Sequence, residues 1–151
     1  MTQTHTLEKP APVVQPWARP FWDGARQQRL VLQYCEDCDK SIHYPRIECP
    51  HCAGDRLTWR QASGRGTIYS YTVVYSNAPS AFVADMPYVV AVIRLEEGVQ
   101  MLSNIVQCDL GQLRCDQPVE VVFDRLNEEF TLPKFRPVER QETHLDPTQV
   151  R

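Results

Sequence analysis

A chain of 151 residues, 23% of them charged and with a formal net charge of −3, has room for one domain or two small ones. Its acidity counts against a nucleic-acid binder, which presents a basic face, and its apolar runs are of strand length, too short for membrane-spanning helices. No stretch resembles a signal peptide.

Residues 1–16 are rich in Thr, Gln and Pro and are expected to form an extended, mobile arm. The character changes at Trp17. Pro20 suits a first helical position, and Phe21, Trp22, Ala25 and Gln28 follow at helical spacing, which predicts a short helix over 20–28. So short a helix is marginal alone. Its aromatic face must dock, either on the neighbouring cysteine-rich module or against a ligand or partner, where aromatics are enriched.

Leu30 to Tyr34 reads as a strand entering Cys35-Glu36-Asp37-Cys38, and after ten residues comes Cys49-Pro50-His51-Cys52. Two Cys-x-x-Cys pairs this close form one tetrahedral site. Each pair makes a tight turn that aims its sulfurs inward, and Zn²⁺ accepts four thiolates without redox chemistry. The spacer is shorter than the usual ~15–20 residues of a ribbon but long enough for a hairpin. A redox dithiol would need a single pair in a βαβ setting, and paired disulfides suit small secreted chains; neither context is present. Iron is the minor alternative, since the same S₄ cage holds it. Four thiolates leave no open coordination position, so the metal is structural, and it must supply folding energy to a ribbon with almost no core. Four thiolate charges and one dication take the net charge to −5. Free thiols with a metal site point to a reducing compartment, the cytoplasm. His43 and His51 are then surface groups or lie behind the ligands. Of the remaining cysteines, both beside Asp, Cys115 reads as a small core residue, and nothing is assigned to Cys108.

Downstream the pattern becomes strand after strand. Gly66 to Tyr75 is long, β-branched and aromatic. A loop over Ser76–Pro87 precedes the apolar strand Tyr88–Leu95. Glu96-Glu97-Gly98 turns into Val99–Val106, and Asp109–Leu113 links to Pro118–Phe123, where a leading Pro costs no ladder bond. Phe130–Pro137 is the fifth strand. Five antiparallel strands with a link between the third and fourth outline an OB-fold, a small and partly open barrel. The fold class is mainly β: an arm over 1–16, a helix and zinc ribbon over 17–60, a five-stranded OB-fold barrel over 61–138 and a polar, loose tail over 139–151.

The order of these motifs resembles a known family. Phe21-Trp22 leads into Leu30-Val31-Leu32-Gln33 and the four cysteines; Gly66–Val74, Pro87–Ala91, Leu102–Ile105, Pro118–Val121 and Leu132–Pro137 follow. This is similar to the DUF35 proteins, a zinc ribbon joined to an OB-fold and associated with acyl-CoA enzymes. The resemblance, which covers about residues 18–138, implies a thiolase-like catalytic partner in a hetero-oligomer and an acyl-CoA ligand; the small subunit of benzoylsuccinyl-CoA thiolase is of this type and size. It implies a non-catalytic accessory role. In agreement, no nucleophile elbow, phosphate-binding Gly loop or His-Glu-x-x-His occurs, and four of six cysteines are spent on metal. A CoA ester wants an apolar ledge and a few cations, for which Phe21, Trp22, Tyr44, Arg46, Arg65, Lys134 and Arg136 are the candidates. Arg46 and Trp22 lead, because Arg65, Lys134 and Arg136 also read as ordinary solvated charges. The alternatives are a nucleic-acid-binding ribbon and OB module and a pure scaffold that binds no small molecule.

Overall fold

The computed structural model describes residues 8–138. The first seven residues of the arm and the tail over 139–151 lie outside them. After the arm, a 3-10 turn over Pro16–Ala18 runs into helix α1, Arg19–Arg26, with Pro20 in its first turn. Gly24 is helix-unfavourable, yet a Cβ there would lie 2.8 Å from Val31 Cγ2, so its absence lets the helix press against the next strand.

The ribbon is a three-stranded antiparallel sheet in the order β2-β1-β3, with β1 at Val31–Cys35, β2 at Lys40–Ile42 and β3 at Leu57–Gln61. Leu57–Gln61 therefore completes the ribbon by pairing along the whole of β1.

The remaining strands, β4 Arg65–Val74, β5 Tyr88–Leu95, β6 Gln100–Ile105, β7 Pro118–Arg125 and β8 Thr131–Pro137, close in the order β4-β5-β6-β8-β7. This is the OB-fold barrel. Four of its five seams are antiparallel. The fifth, between β6 and β8, is parallel and holds by one residue pair, Ile105 and Phe135. The barrel thus shuts at that point and parts along the rest of β6. Ser103 Oγ spans the parting by donating to the Pro133 carbonyl at 2.8 Å. Ser103→Ala is expected to cost about 1 kcal/mol, read as a lowered urea midpoint with an unchanged slope; an unshifted midpoint would show that the bridge carries nothing.

The long first barrel strand does not alternate without interruption. A register shift between Ile68 and Ser70 is a β-bulge, so Ile68 points inward before it while Tyr71 and Val73 point inward after it. Gly66, beside this seam, could not carry a Cβ, which would sit 2.4 Å from the Arg94 carbonyl.

One core joins the modules. Phe21 of α1 and Leu30 and Leu32 of the ribbon pack with Ile68, Ile93, Val119 and Phe135 of the barrel. The aromatic face of α1 therefore docks largely on the barrel: Trp22 meets Phe130 edge-on at 5.6 Å and Phe21 meets Trp22 at 5.2 Å. A second, smaller cluster holds Cys35, Ile42 and Cys49. Cys115 is not a core residue. It is exposed in the turn before β7, and the inward position in that link is taken by Leu113.

Candidate metal centre and adjoining cleft

The end of β1 delivers Cys35, the following turn Cys38, and a second turn Cys49 and Cys52. Their four sulfurs lie within 4.8 Å of one another. Cys35 and Cys52 are 3.6 Å apart and Cys38 and Cys49 3.7 Å, sulfur to sulfur. A tetrahedron with Zn–S bonds of ~2.3 Å has edges of ~3.8 Å, so the cage has the size for such an ion. The His51 amide points at Cys49 Sγ, 3.4 Å away. Burial pushes the Cys49 thiol up, but the amides of His51 and Cys52 and the adjoining thiols outweigh it and bring it down to about 7. Burial and the neighbouring sulfurs push Cys38 up to about 12. Four thiolates this close need a cation to coexist, and the donor set fits a closed, soft-ligand metal site.

His51 serves the cage through its main chain; its side chain is exposed. His43 is not a surface group and is not among the cage residues. It follows β2, is joined to Tyr44 by a cis peptide bond, and lies 5.5 Å from Phe21 and 4.2 Å from Tyr44, ring to ring. Both ring nitrogens are buried without a partner among the described residues, and burial holds the imidazole down at about 4, so it is neutral at physiological pH.

Beside His43 lies a cleft of about 390 Å³ between the arm with α1, the turn after β2, and the parted strands β6 and β8. It brings together four of the sequence candidates: Phe21, Trp22, Tyr44 and Lys134. Arg46, Arg65 and Arg136 stand outside its lining. Arg46 follows Pro45 at the edge; its main chain makes two 2.8 Å hydrogen bonds with the buried Gln33 side chain, while its own side chain is exposed. Arg65 pairs with Glu96 at 3.1 Å and Arg136 with Glu120 at 2.6 Å. Lys134 pairs with Asp124 and is the more enclosed of the two. Sequence reading missed His43 and the barrel side of the cleft, Met101 to Asn104 with Leu132 and Pro133. One signal was available: Pro133 inside a strand marks an unpaired edge. Around the mouth, Trp17 is 42% exposed, Tyr44 54% and Leu102 57%, a concentration of apolar surface at one opening.

Two family descriptions match in tandem: "ChsH2, rubredoxin-like zinc ribbon domain" over residues 22–58 and "ChsH2, C-terminal OB-fold domain" over 59–124. A DUF35 domain-containing scaffold protein of Methanothermobacter thermautotrophicus is 39% identical over 106 residues, which cover 69% of this chain and 78% of that protein. The chain belongs to the DUF35 family. Within it, a protein of Thermomonospora curvata described as a probable enoyl-CoA hydratase alpha subunit is 38% identical over 81% of this chain. The match spans only 38% of that longer protein. Among solved structures, a chain titled Ltp2-ChsH2(DUF35) aldolase superposes with a TM-score of 0.77 at 35% identity, covering 84% of this chain and 98% of that one. The DUF35 architecture of ribbon and barrel is thus shared over most of the described residues. No helix among them is long and apolar enough to cross a membrane.

Proposed function

We propose that this DUF35 chain is a non-catalytic accessory subunit of a cytoplasmic acyl-CoA enzyme complex. It would help to hold the CoA ester and complete the active site of a thiolase-type partner. The supporting observation is the cleft: an apolar hollow with an exposed aromatic and aliphatic rim, and no activated nucleophile beside it. Ser103 donates its proton to Pro133, and among the described residues His43 has no hydrogen-bond partner to orient it. Such a site is suited to binding and shaping an ester, the role of an accessory subunit. The cage metal is zinc, held by Cys35, Cys38, Cys49 and Cys52, with iron the alternative for the same ligand set. Relatives described as a hydratase subunit and an aldolase, both partner-bearing by name, support a subunit role and leave the partner's reaction wider than thiolysis.

A tagged chain purified from its native host is expected to carry a stoichiometric acyl-CoA enzyme subunit. A chain that elutes alone at natural expression levels would overturn the proposal. In calorimetry with benzoyl-CoA, the complex is expected to bind, and Lys134→Gln and Arg46→Ala are each expected to weaken binding about 3–10-fold, the loss of one charge-assisted contact. Unchanged affinity removes that residue from the site. The second reading, a pure scaffold, is favoured by the name of the Methanothermobacter relative. It predicts an intact complex in which calorimetry finds no contribution of this chain to ligand affinity.

A further inference from the structure

The cleft has a larger neighbour. A cavity of about 1010 Å³ lies on the barrel between the loop over 75–87 and the end of β7. This is the face on which OB-folds take ligands, framed by the second and third barrel strands and the loops between strands one and two and between four and five. The two hollows share a wall: Asn104, Leu132 and Lys134 line both. They also share a roof. Lys9, Pro10 and Pro12 of the arm cover the larger one, and Val13, Gln15 and Trp17 border the smaller.

Their linings differ in kind. The smaller holds Phe21, Trp22 and Met101 with one cation, Lys134. The larger adds Arg125 and Lys9 to Lys134, against Asp85 and Asp124, and presents two aromatic rings, Phe82 and Tyr88, 6.4 Å apart. We propose that the two hollows are one trough for a long ligand with an apolar head and an anionic, ring-bearing tail, and that residues Lys9–Gln15 are a strap under which that ligand passes. The inference rests on the acyl-CoA reading only for the ligand's identity.

The strap is built to open. Pro10, Pro12 and Pro16 lack amide protons, and among the described residues no main-chain hydrogen bond ties residues 8–14 to the barrel. Its latch is Lys9, which reaches Asp85 at 2.6 Å and lies 5.8 Å from the centre of the Phe82 ring. Both partners of the ion pair are more than a third exposed, so the pair adds little and is easily exchanged. At the other end the arm is anchored through Phe21 in the common core.

The dye 8-anilinonaphthalene-1-sulfonate combines apolar rings with an anion and tests the trough without its natural ligand. With the metal-loaded full chain, the stopped-flow binding rate is expected to level off at high dye concentration, because strap opening becomes limiting. Lys9→Ala is expected to raise that plateau about 2–5-fold, the loss of one exposed ion pair, and Lys9→Arg is expected to restore the parent value. Leu102→Glu, an exposed change at the mouth, is expected to weaken the dye at least fivefold, and the uncharged N-phenyl-1-naphthylamine is expected to bind at least fivefold more weakly than the sulfonate. Rates that rise linearly and equally with and without Lys9 would overturn the strap. Equal binding of the two dyes would overturn the anionic half of the trough. If benzoyl-CoA fails to displace the sulfonate while the Lys9 effect holds, the strap stands and the acyl-CoA reading falls.

Discussion

Cys35→Ser is expected to abolish metal binding and unfold the ribbon while leaving the barrel folded but weakened. The reason lies in what the ribbon buries. Its own cluster consists of Cys35, Ile42 and Cys49, with Cys38 and Leu57 packed against it. Nearly all of that core is ligand. Without the ion, the cage end of the sheet keeps only Ile42 as a buried apolar side chain that is not a ligand, and the ribbon's other hold is Leu32 in the core shared with the barrel. A structural zinc supplies about 10–16 kcal/mol of apparent binding energy in small metal-folded modules, several times what any single apolar contact here contributes. Metal analysis of the pure chain is expected to fall from one equivalent to near zero in the variant. Hydrogen exchange is expected to lose protection across β1 to β3 and keep it in β4 to β8. The barrel is not untouched, because Leu30, Leu32 and Phe21 belong to its core; its melting temperature is expected to drop. Full protection of the ribbon amides in a chelator-treated chain would mean that the cage is not what holds the module.

The parts of this molecule that could be read in advance are those where one periodicity or one spacing decides. The cysteine pairs specify the cage because four soft ligands at that separation have few other uses. Tyr88–Leu95 was legible to the residue, since a continuous apolar run bounded by Pro87 and Glu96-Glu97-Gly98 has only one strand-length solution. The bulge in β4 was not legible: it leaves no mark in a sequence where both faces carry Thr and Val. Cys115 was misplaced for a similar reason. A small apolar residue near a strand start fits the core as well as a turn does, and Leu113 wins by size. The cleft was half legible. Phe21, Trp22 and Tyr44 announce an aromatic surface, but its opposite wall arises from the parting of β6 from β8, a property of barrel closure that no local pattern encodes. His43 looked like a bystander to the cysteines; three-dimensional packing set it among rings instead.

That packing has a cost that depends on pH. An unperturbed histidine titrates near 6.5, whereas burial holds folded His43 near 4. Above pH 6.5 both folded and unfolded chains carry a neutral ring, and His43 makes no pH-dependent contribution. Below it the unfolded chain takes up a proton that the folded chain refuses, so stability falls as the pH drops and continues to fall until about 4. Integrated over that window the loss is about 3 kcal/mol, a large share of a small domain's stability. His43→Phe keeps a ring between Phe21 and Tyr44, removes two unpartnered nitrogens and deletes the proton uptake. The variant is expected to match or exceed the parent at pH 7.5 and to gain on it by about 2 kcal/mol at pH 5.0, read from urea melts of both chains. Acid also loosens the cysteine cage by protonating thiolates, but it does so equally in both chains, and the difference between their curves isolates the imidazole. A gap that stays constant from pH 7.5 to 5.0 would mean that His43 meets a proton acceptor or water that the packing of Phe21 and Tyr44 does not reveal.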